Sequence, residues 1–473
     1  MQTRREFIGG AAAVFSLAGC QSTGRFAARP DLKFGVISDT HVTTPESTAR
    51  LREALRYFRR RGADAVMIAG DLTDWGLKSG YDYLAEAWKD EMAGTGIELL
   101  MCTGNHDYDG WWYGDMTLDM HMQGYSEDDA LCDLGMGECW EKSFGEQFGE
   151  IRRRTIKGYH FISAEFNWKN KTCGDEMIAK WLSDHADELK TPGRPFFFFR
   201  HIPIPGVAAG ASKDDKPNPL KTTLDGFANG FVFTGHTHRT LNDEKSIWQD
   251  GFTAISVPSL SYTSAPRGYD NGSDSRKGDS TLGMRRIPSR ENLEQPQGFF
   301  VSVYPTRVEI ERHDFGERTD IADPWIVPEG KKPYTFEAQR NRVPVPQFPS
   351  GATVRTFVSN GDTRNGRWTI FMTLEFPAAK ATKGRAFDYE VRAEMTDGTV
   401  AAVKRFLSPT FHRAHWRDAD VLRFDFDGMS LPDNGDYRLK VYPRNSLGVA
   451  GRPIASCLFS PKPGKATVQK KRG

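Results

Sequence analysis

Two hydrophobic textures divide this chain of 473 residues. Up to about Trp325, short apolar runs alternate with helically spaced ones. Leu32 to Ile37 is a short apolar run that predicts a buried strand. Thr44-Pro45-Glu46 has the order of a helix start: a cap, a proline at the first position, an acid in the first turn. Leu51, Leu55 and Phe58 then recur at helical spacing, and Gly62 ends the element. The same reading predicts strands at 65–69 and 97–101 around a helix at 81–92. It continues with a strand at 159–163, a helix at 174–188, strands at 196–199, 230–233 and 252–257, and a hairpin of 298–304 with 307–313. This order implies a sheet with helices packed on it. Two stretches break the rhythm and read as long lid or binding loops: 108–157, with Trp111, Trp112, Tyr113 and His121, and 262–296, rich in Gly, Ser, Asp and Arg. Beyond Trp325 the polarity alternates at 353–359, 368–376, 387–395, 400–407, 420–426 and 437–443, with turns at Asp397-Gly398 and Asn434-Gly435. Short strands at this spacing predict a β-sandwich.

Composition narrows the function. Net charge is +1 and the pI about 7.7, so no overall field steers a polyanion and no stable nucleic-acid complex is expected. Arg4-Arg5 before the apolar run Gly9 to Ala18 resembles a twin-arginine export signal, with Gly9 where a lysine is usual. Leu17-Ala18-Gly19-Cys20 resembles a bacterial lipobox. Those resemblances imply an exported, periplasmic or envelope protein, lipidated on Cys20 and anchored to a membrane without spanning it. Residues 1–30 are then signal and tether. Five cysteines follow Cys20, an odd number, so at least one has no intrachain partner. Cys132 and Cys139 are near enough in sequence to pair, and whether they do is left open.

The chemistry lies at the ends of predicted strands. Asp39-Thr40-His41 follows the first, Gly70-Asp71-Leu72-Thr73-Asp74 the second, and Gly104-Asn105-His106-Asp107 the third. His201 follows the Phe-rich strand, and Gly235-His236-Thr237-His238 follows Phe231-Val232-Phe233. Carboxyl ends of strands are where open α/β sheets place their sites. Mixed oxygen and nitrogen donors suit Mn, Fe, Co, Ni or Zn better than Ca or Mg, and the lack of thiolates argues against a structural zinc.

Taken together, the five motifs over residues 32–315 resemble the calcineurin-like metallophosphoesterase family. The resemblance implies an α/β fold, a β-sheet sandwich flanked by helices, over 31–325, followed by the all-β sandwich domain at 326–473. It implies two divalent or mixed-valence metal ions, Mn, Fe, Ni or Zn. Asp39, His41, Asp71 and His238 would hold the first, and Asp71, Asn105, His201 and His236 the second. A hydroxide bridging both metals would attack phosphorus in line, with His106 as general acid on the leaving oxygen and Asp74 orienting it. Two departures matter. Asp74 stands where purple acid phosphatases carry tyrosine, so a ferric–tyrosinate centre is not expected. Trp75 stands where protein phosphatases carry arginine, so that activity is not supported. The motif forms favour phosphodiester over phosphomonoester substrates. The alternative is an envelope-anchored glycan- or polymer-binding lipoprotein with a vestigial metal site. Asp107 is read as a support of its loop. Residues 437–448 resemble the last strands of a fibronectin type III domain.

Overall fold

The computed structural model describes residues 29–108, 136–166, 174–210, 216–266, 268–271, 295–359, 363–364, 367–368, 371–381, 386–413, 421–427, 431 and 435–459. Cys20, Trp111, Trp112, Tyr113, His121, Cys132, Arg267, Arg276, Arg285 and Arg286 lie outside them.

Twelve strands build the first domain: β1 (Leu32–Ile37), β2 (Ala65–Ala69), β3 (Glu98–Cys102), β4 (Ile151–Ile156), β5 (Tyr159–Ala164), β6 (Phe196–Arg200), β7 (Gly230–Thr234), β8 (Ile247–Gln249), β9 (Thr253–Ser256), β10 (Gln297–Tyr304), β11 (Arg307–Asp314) and β12 (Thr319–Pro328). They form two six-stranded sheets, ordered β12-β11-β10-β1-β2-β3 and β4-β5-β6-β7-β9-β8. Strands β1, β2 and β3 are mutually parallel, as are β5, β6, β7 and β9. Parallel strands send their carboxyl ends to one edge of the sheet. Alternate side chains of both sheets share a core of Phe34, Met67, Phe161, Phe197, Phe233, Phe299 and Val301. Phe34 meets Phe161 and Phe197 edge to face, with centroids 5.1 and 4.7 Å away, the geometry that ring quadrupoles favour.

Helices cover the outer faces. The α1 helix (Ala49–Arg61) buries Leu51, Ala54, Leu55 and Phe58 and ends at Gly62, left-handed with φ 65°. A 3-10 turn, Glu46–Thr48, precedes it, and there Thr44 Oγ1 accepts from the Ser47 N–H at 3.3 Å. The α2 helix (Lys78–Met92) begins three residues before the expected start.

The stretch 108–157 is not one loop. It contains α3 (Met136–Phe144), with Trp140 fully buried, and β4. Sequence reading also missed β8 and β12. All three missed strands lie at sheet edges, and β8, three buried residues long, is too short to show a period. An edge strand buries one side only and carries charge, as Arg152, Arg153 and Arg154 do in β4, so its hydrophobic signal is weak. For the same reason the boundary expected at 325/326 falls inside β12. The first core continues to Tyr334, and Gln339 donates to the Ile247 carbonyl at 2.8 Å.

The C-terminal strands are β13 (Arg355–Ser359), β14 (Thr363–Arg364), β15 (Arg367–Trp368), β16 (Phe371–Pro377), β17 (Asp388–Met395), β18 (Val400–Leu407), β19 (Val421–Asp427), β20 (Tyr437–Arg444) and β21 (Ile454–Ala455). A three-stranded sheet, β13-β16-β19, and a four-stranded one, β18-β17-β20-β21, share a core of Leu374, Phe376, Tyr389, Val391, Phe424, Leu439 and Val441. No helix among the described residues is long and apolar enough to cross a membrane. Cys139 is disulfide-bonded, and neither Cys102 nor Cys457 is in a disulfide. The pairing left open with Cys132 falls on a residue outside the described ones.

Candidate metal centre

All five motifs converge beyond the carboxyl ends of β1, β2, β3, β6 and β7. Two isolated parallel bridges zip their loops together, Val42 with Thr73 and Ser38 with Ser259. Donor atoms of Asp39, His41, Asp71 and His238 lie within 4.8 Å of one another, and so do those of Asp71, His201 and His236. Asp71 belongs to both groups. Asn105 enters by the turn whose next residue, His106, donates its N–H to Asp71 Oδ1 at 2.9 Å.

Backbone strain is concentrated here. Outside glycine, positive φ among the described residues occurs at Asp39 (52°), His41 (45°), Asp71 (49°), His236 (69°) and His238 (50°), and otherwise only at Lys157 and Arg318. Such conformations cost about 1–3 kcal/mol each and persist where surroundings over-determine them, characteristically at functional sites. Crowding demands glycine at Gly235, where a Cβ would lie 2.6 Å from the Ala69 carbonyl and against the Ser38 hydroxyl. At Gly104 a Cβ would strike the Asp71 carboxylate.

Hydrogen bonds set the rings. His41 Nδ1–H donates to Asp74 Oδ1 at 2.5 Å, His201 Nδ1–H to the Ala69 carbonyl at 2.9 Å, and His238 Nδ1–H to the Tyr262 carbonyl at 3.1 Å. With Nδ1 taken, each ring presents Nε2 to the cluster, the arrangement by which outer partners orient metal-binding histidines. His238 Nε2 lies 2.8 Å from Asp39 Oδ1, and His201 Nε2 lies 3.0 Å from Asp71 Oδ2. The second contact lacks hydrogen-bond geometry. Asp71 Oδ2, Asn105 Oδ1 and His201 Nε2 are buried without a hydrogen-bond partner. Buried lone polar atoms are costly, and three converging oxygen and nitrogen donors are what a divalent cation would satisfy. The donor set therefore fits the two ions that the motifs implied.

Burial alone would raise the Asp39 carboxyl, but His238 and His201 outweigh it and hold the group at about 2. Asp71 is held well below the usual range against the same burial, chiefly by His201. Burial opposes charge on His201, yet Asp71 and Asp39 push it up to about 9. Burial, reinforced by His201, pulls His236 down to about 4.

Asp74 touches two rings. Its Oδ1 accepts from His41 and lies 3.8 Å from His106 Nδ1. His106 Nδ1–H also donates to the Asp74 main-chain carbonyl at 3.3 Å. The Val42–Thr73 bridge sets Asp74 beside His41. His106 keeps a partner that orients its ring, with its side chain 31% exposed at the mouth.

Four supporting residues escaped sequence reading. Ser38 Oγ donates to Asp39 Oδ2 at 2.6 Å, and Ser259 Oγ to the Asp39 carbonyl at 3.1 Å. The Tyr262 ring lies tilted against His238, at 4.1 Å between centroids. Glu165 accepts from the N–H and hydroxyl of Thr103, next to the Gly104 turn, at 2.6 and 2.8 Å. Only Glu165 carried a signal, an acid directly after a strand. Asp107 does support its loop, accepting the N–H groups of Leu72 (3.1 Å), Thr73 (2.9 Å) and Gly104 (2.8 Å). His185 and His313 lie outside the cluster, against Trp181 and Asp320.

Residues 32–240 match the sequence model of the family described as calcineurin-like phosphoesterase. No curated protein matches the chain. Among solved structures, a dimetal phosphatase from Danio rerio is 13% identical with a TM-score of 0.37, over 64% of this chain and 100% of that one. GAP50 of Plasmodium is 10% identical at 0.39, over 64% and 90% of the two chains. The purple acid phosphatase PPD1 from yellow lupin (Lupinus luteus) seeds is 12% identical at 0.39, over 63% and 53%. Likenesses this distant carry no functional argument. The family match and the converged donors together support a calcineurin-like phosphoesterase domain over residues 32–240, a metal-dependent hydrolase of phosphoric esters.

Proposed function

We propose that this chain hydrolyses phosphate esters, diesters in preference to monoesters, outside the cytoplasm. The observation that carries the catalytic reading is the trio of buried polar atoms without a hydrogen bond, at a cluster in which Asp71 belongs to both donor groups. Asp39, His41, Asp71 and His238 would hold one ion, and Asp71, Asn105, His201 and His236 the other. Two such ions supply Lewis acidity at a phosphoryl oxygen and make water acidic enough to be a nucleophile near neutral pH. The chain's own residues do the rest. Asp39 and Asp71 remain ionised, so the cluster keeps its charge for cations. His106, with Nδ1–H engaged by the Asp74 carbonyl, has Nε2 free of that bond to carry the proton an alkoxide leaving group needs. The diester preference rests on the motif forms Gly70-Asp71-Leu72-Thr73-Asp74 and Gly104-Asn105-His106-Asp107.

Export and a lipid anchor on Cys20 remain part of this reading, and so does the fibronectin type III likeness of the second domain. The disulfide at Cys139 supports export, since such bonds persist in oxidising compartments. The test is hydrolysis of bis-p-nitrophenyl phosphate against p-nitrophenyl phosphate by Mn-, Fe-, Ni- or Zn-loaded protein. Asp71→Asn and His106→Ala run beside it. The expected result is metal-dependent turnover, faster on the diester, lost in Asp71→Asn and lowered less in His106→Ala, because p-nitrophenolate leaves with little help from an acid. Metal-loaded protein that turns over neither ester sinks the reading.

A further inference from the structure

The C-terminal domain contributes no residue to the described donor cluster, yet it grips both segments that frame His238. Beyond His238, Asn242 Nδ2 donates to the carbonyls of Phe411 and Arg413 at 2.8 and 2.9 Å. Gln297 accepts the Leu241 N–H at 3.0 Å and donates to the His412 carbonyl at 2.9 Å. The segment packed over His238 is described from Ser259 to Pro266 and from Gly268 to Asn271. In it, Ser264 N–H donates to the His238 carbonyl at 2.9 Å, and the Tyr262 carbonyl holds the ring.

Further along, this segment is stitched to β18. Asp270 N–H donates to the Arg405 carbonyl at 2.7 Å, and Arg405 N–H returns to Asp270 Oδ2 at 2.7 Å. Asn271 and Leu407 exchange two bonds, Nδ2–H to the carbonyl at 2.9 Å and N–H to Oδ1 at 2.8 Å. Tyr269 donates its hydroxyl to Asp388 Oδ2 at 2.8 Å, a carboxylate that Arg444 grips through both oxygens at 2.6 and 2.9 Å. Ala265 and Tyr269 pack on Phe387, Leu407 and Phe411. Asn271 is 8% exposed and Leu407 fully buried. Breaking such a buried reciprocal pair strands polar groups away from water, so the seam is a rigid joint. His238, at φ 50°, needs such a hold.

We propose that the β-sandwich is a positioning part of the metal centre. Through Tyr269 and Asn271 on one side and Asn242 on the other, it holds Tyr262 in place and so keeps His238 Nε2 turned into the cluster. The inference rests on the cluster binding divalent ions, and not on turnover.

Mn(II) titration of the full chain by calorimetry tests it, with Asn271→Ala and Tyr269→Phe and with thermal unfolding of each metal-free form. The expected result is that one of two Mn(II) binding events weakens about tenfold, as loss of an outer partner does. The other event keeps its wild-type affinity, even where the midpoint falls with the lost bonds. Two unaltered events in a folded Asn271→Ala chain overturn the proposal. So do two events weakened together as the midpoint falls, which marks a general loss of fold. Should Asn271→Ala fail to fold, Tyr269→Phe, which keeps the ring and loses only the hydroxyl, decides by the same criterion. A wild-type chain that binds two Mn(II) without cleaving phosphate esters refutes the catalytic reading and leaves this one standing. One that binds no Mn(II) refutes both.

Discussion

The Asp74 carboxylate holds His41, with Oδ1 at 2.5 Å from Nδ1, and the Asp74 main-chain carbonyl accepts from His106. One residue thus orients the His41 ring by its side chain and the His106 ring by its backbone. The two functions separate by mutation. Asp74→Ala is expected to weaken one metal-binding event about tenfold while His106 keeps its partner. His106→Ala is expected to leave two ions bound and to lower kcat about 10²–10⁴-fold on a poor leaving group. Metal stoichiometry and affinity beside kcat distinguish them. Equal metal affinity in wild type and Asp74→Ala would contradict the assignment.

Asp107 ties the second motif to the third through three backbone N–H groups and the hydroxyls of Thr73 and Tyr81, both at 3.2 Å. Asp107→Ala leaves those buried donors without an acceptor, at about 1–3 kcal/mol for each one that finds no water. Urea unfolding should show a loss of several kcal/mol (about 3 or more by the same estimate). A loss below about 1 kcal/mol would mean that water replaces the carboxylate.

Gly235→Ala places a methyl group against the Ala69 carbonyl and the Ser38 hydroxyl. Overpacking of this kind costs about 1–3 kcal/mol. Because Ser38 also holds Asp39, metal affinity should fall with stability. An Ala variant with wild-type unfolding and wild-type metal content would show that the loop simply yields.

The metal-free protein should have a defined pH window. His201 is raised from 6.5 to about 9, so its ion pair contributes fully below pH 6.5 and is lost as pH rises through about 9. Asp39 is lowered from 3.8 to about 2, so its contribution is present above 3.8 and lost as pH falls through about 2. Together they favour the fold most between 3.8 and 6.5. Thermal unfolding in chelator, wild type against His201→Gln, checks this. A difference between them that stays flat from pH 6 to 9 refutes the His201 part.

Legibility followed burial. The central strands β1, β2, β6 and β7 were readable because both faces are apolar, as in the run Phe196 to Phe199. The edge strands β4 and β12 were not, since an edge buries one side and tolerates charge, and β8, three buried residues long, is too short to show a period. The metal residues were readable because each sits just past a readable strand. Tyr262 was not, because it acts through its main-chain carbonyl, and any residue supplies one.

Sequence alone determined the chemistry: the donor types, their order, and their place at strand ends, where parallel sheets gather side chains. It also determined the glycines that let the loops approach. Tertiary structure decided the rest: that Asp74 serves His41 as well as His106, that the first core extends through β12 to Tyr334, and that the sandwich closes on the segments around His238. The physical reason is range. Strand patterning and motif spacing are local in the chain, whereas those partnerships join distant residues, 33 positions apart for Asp74 and His41 and 136 for Asn271 and Leu407, and only the folded packing selects them.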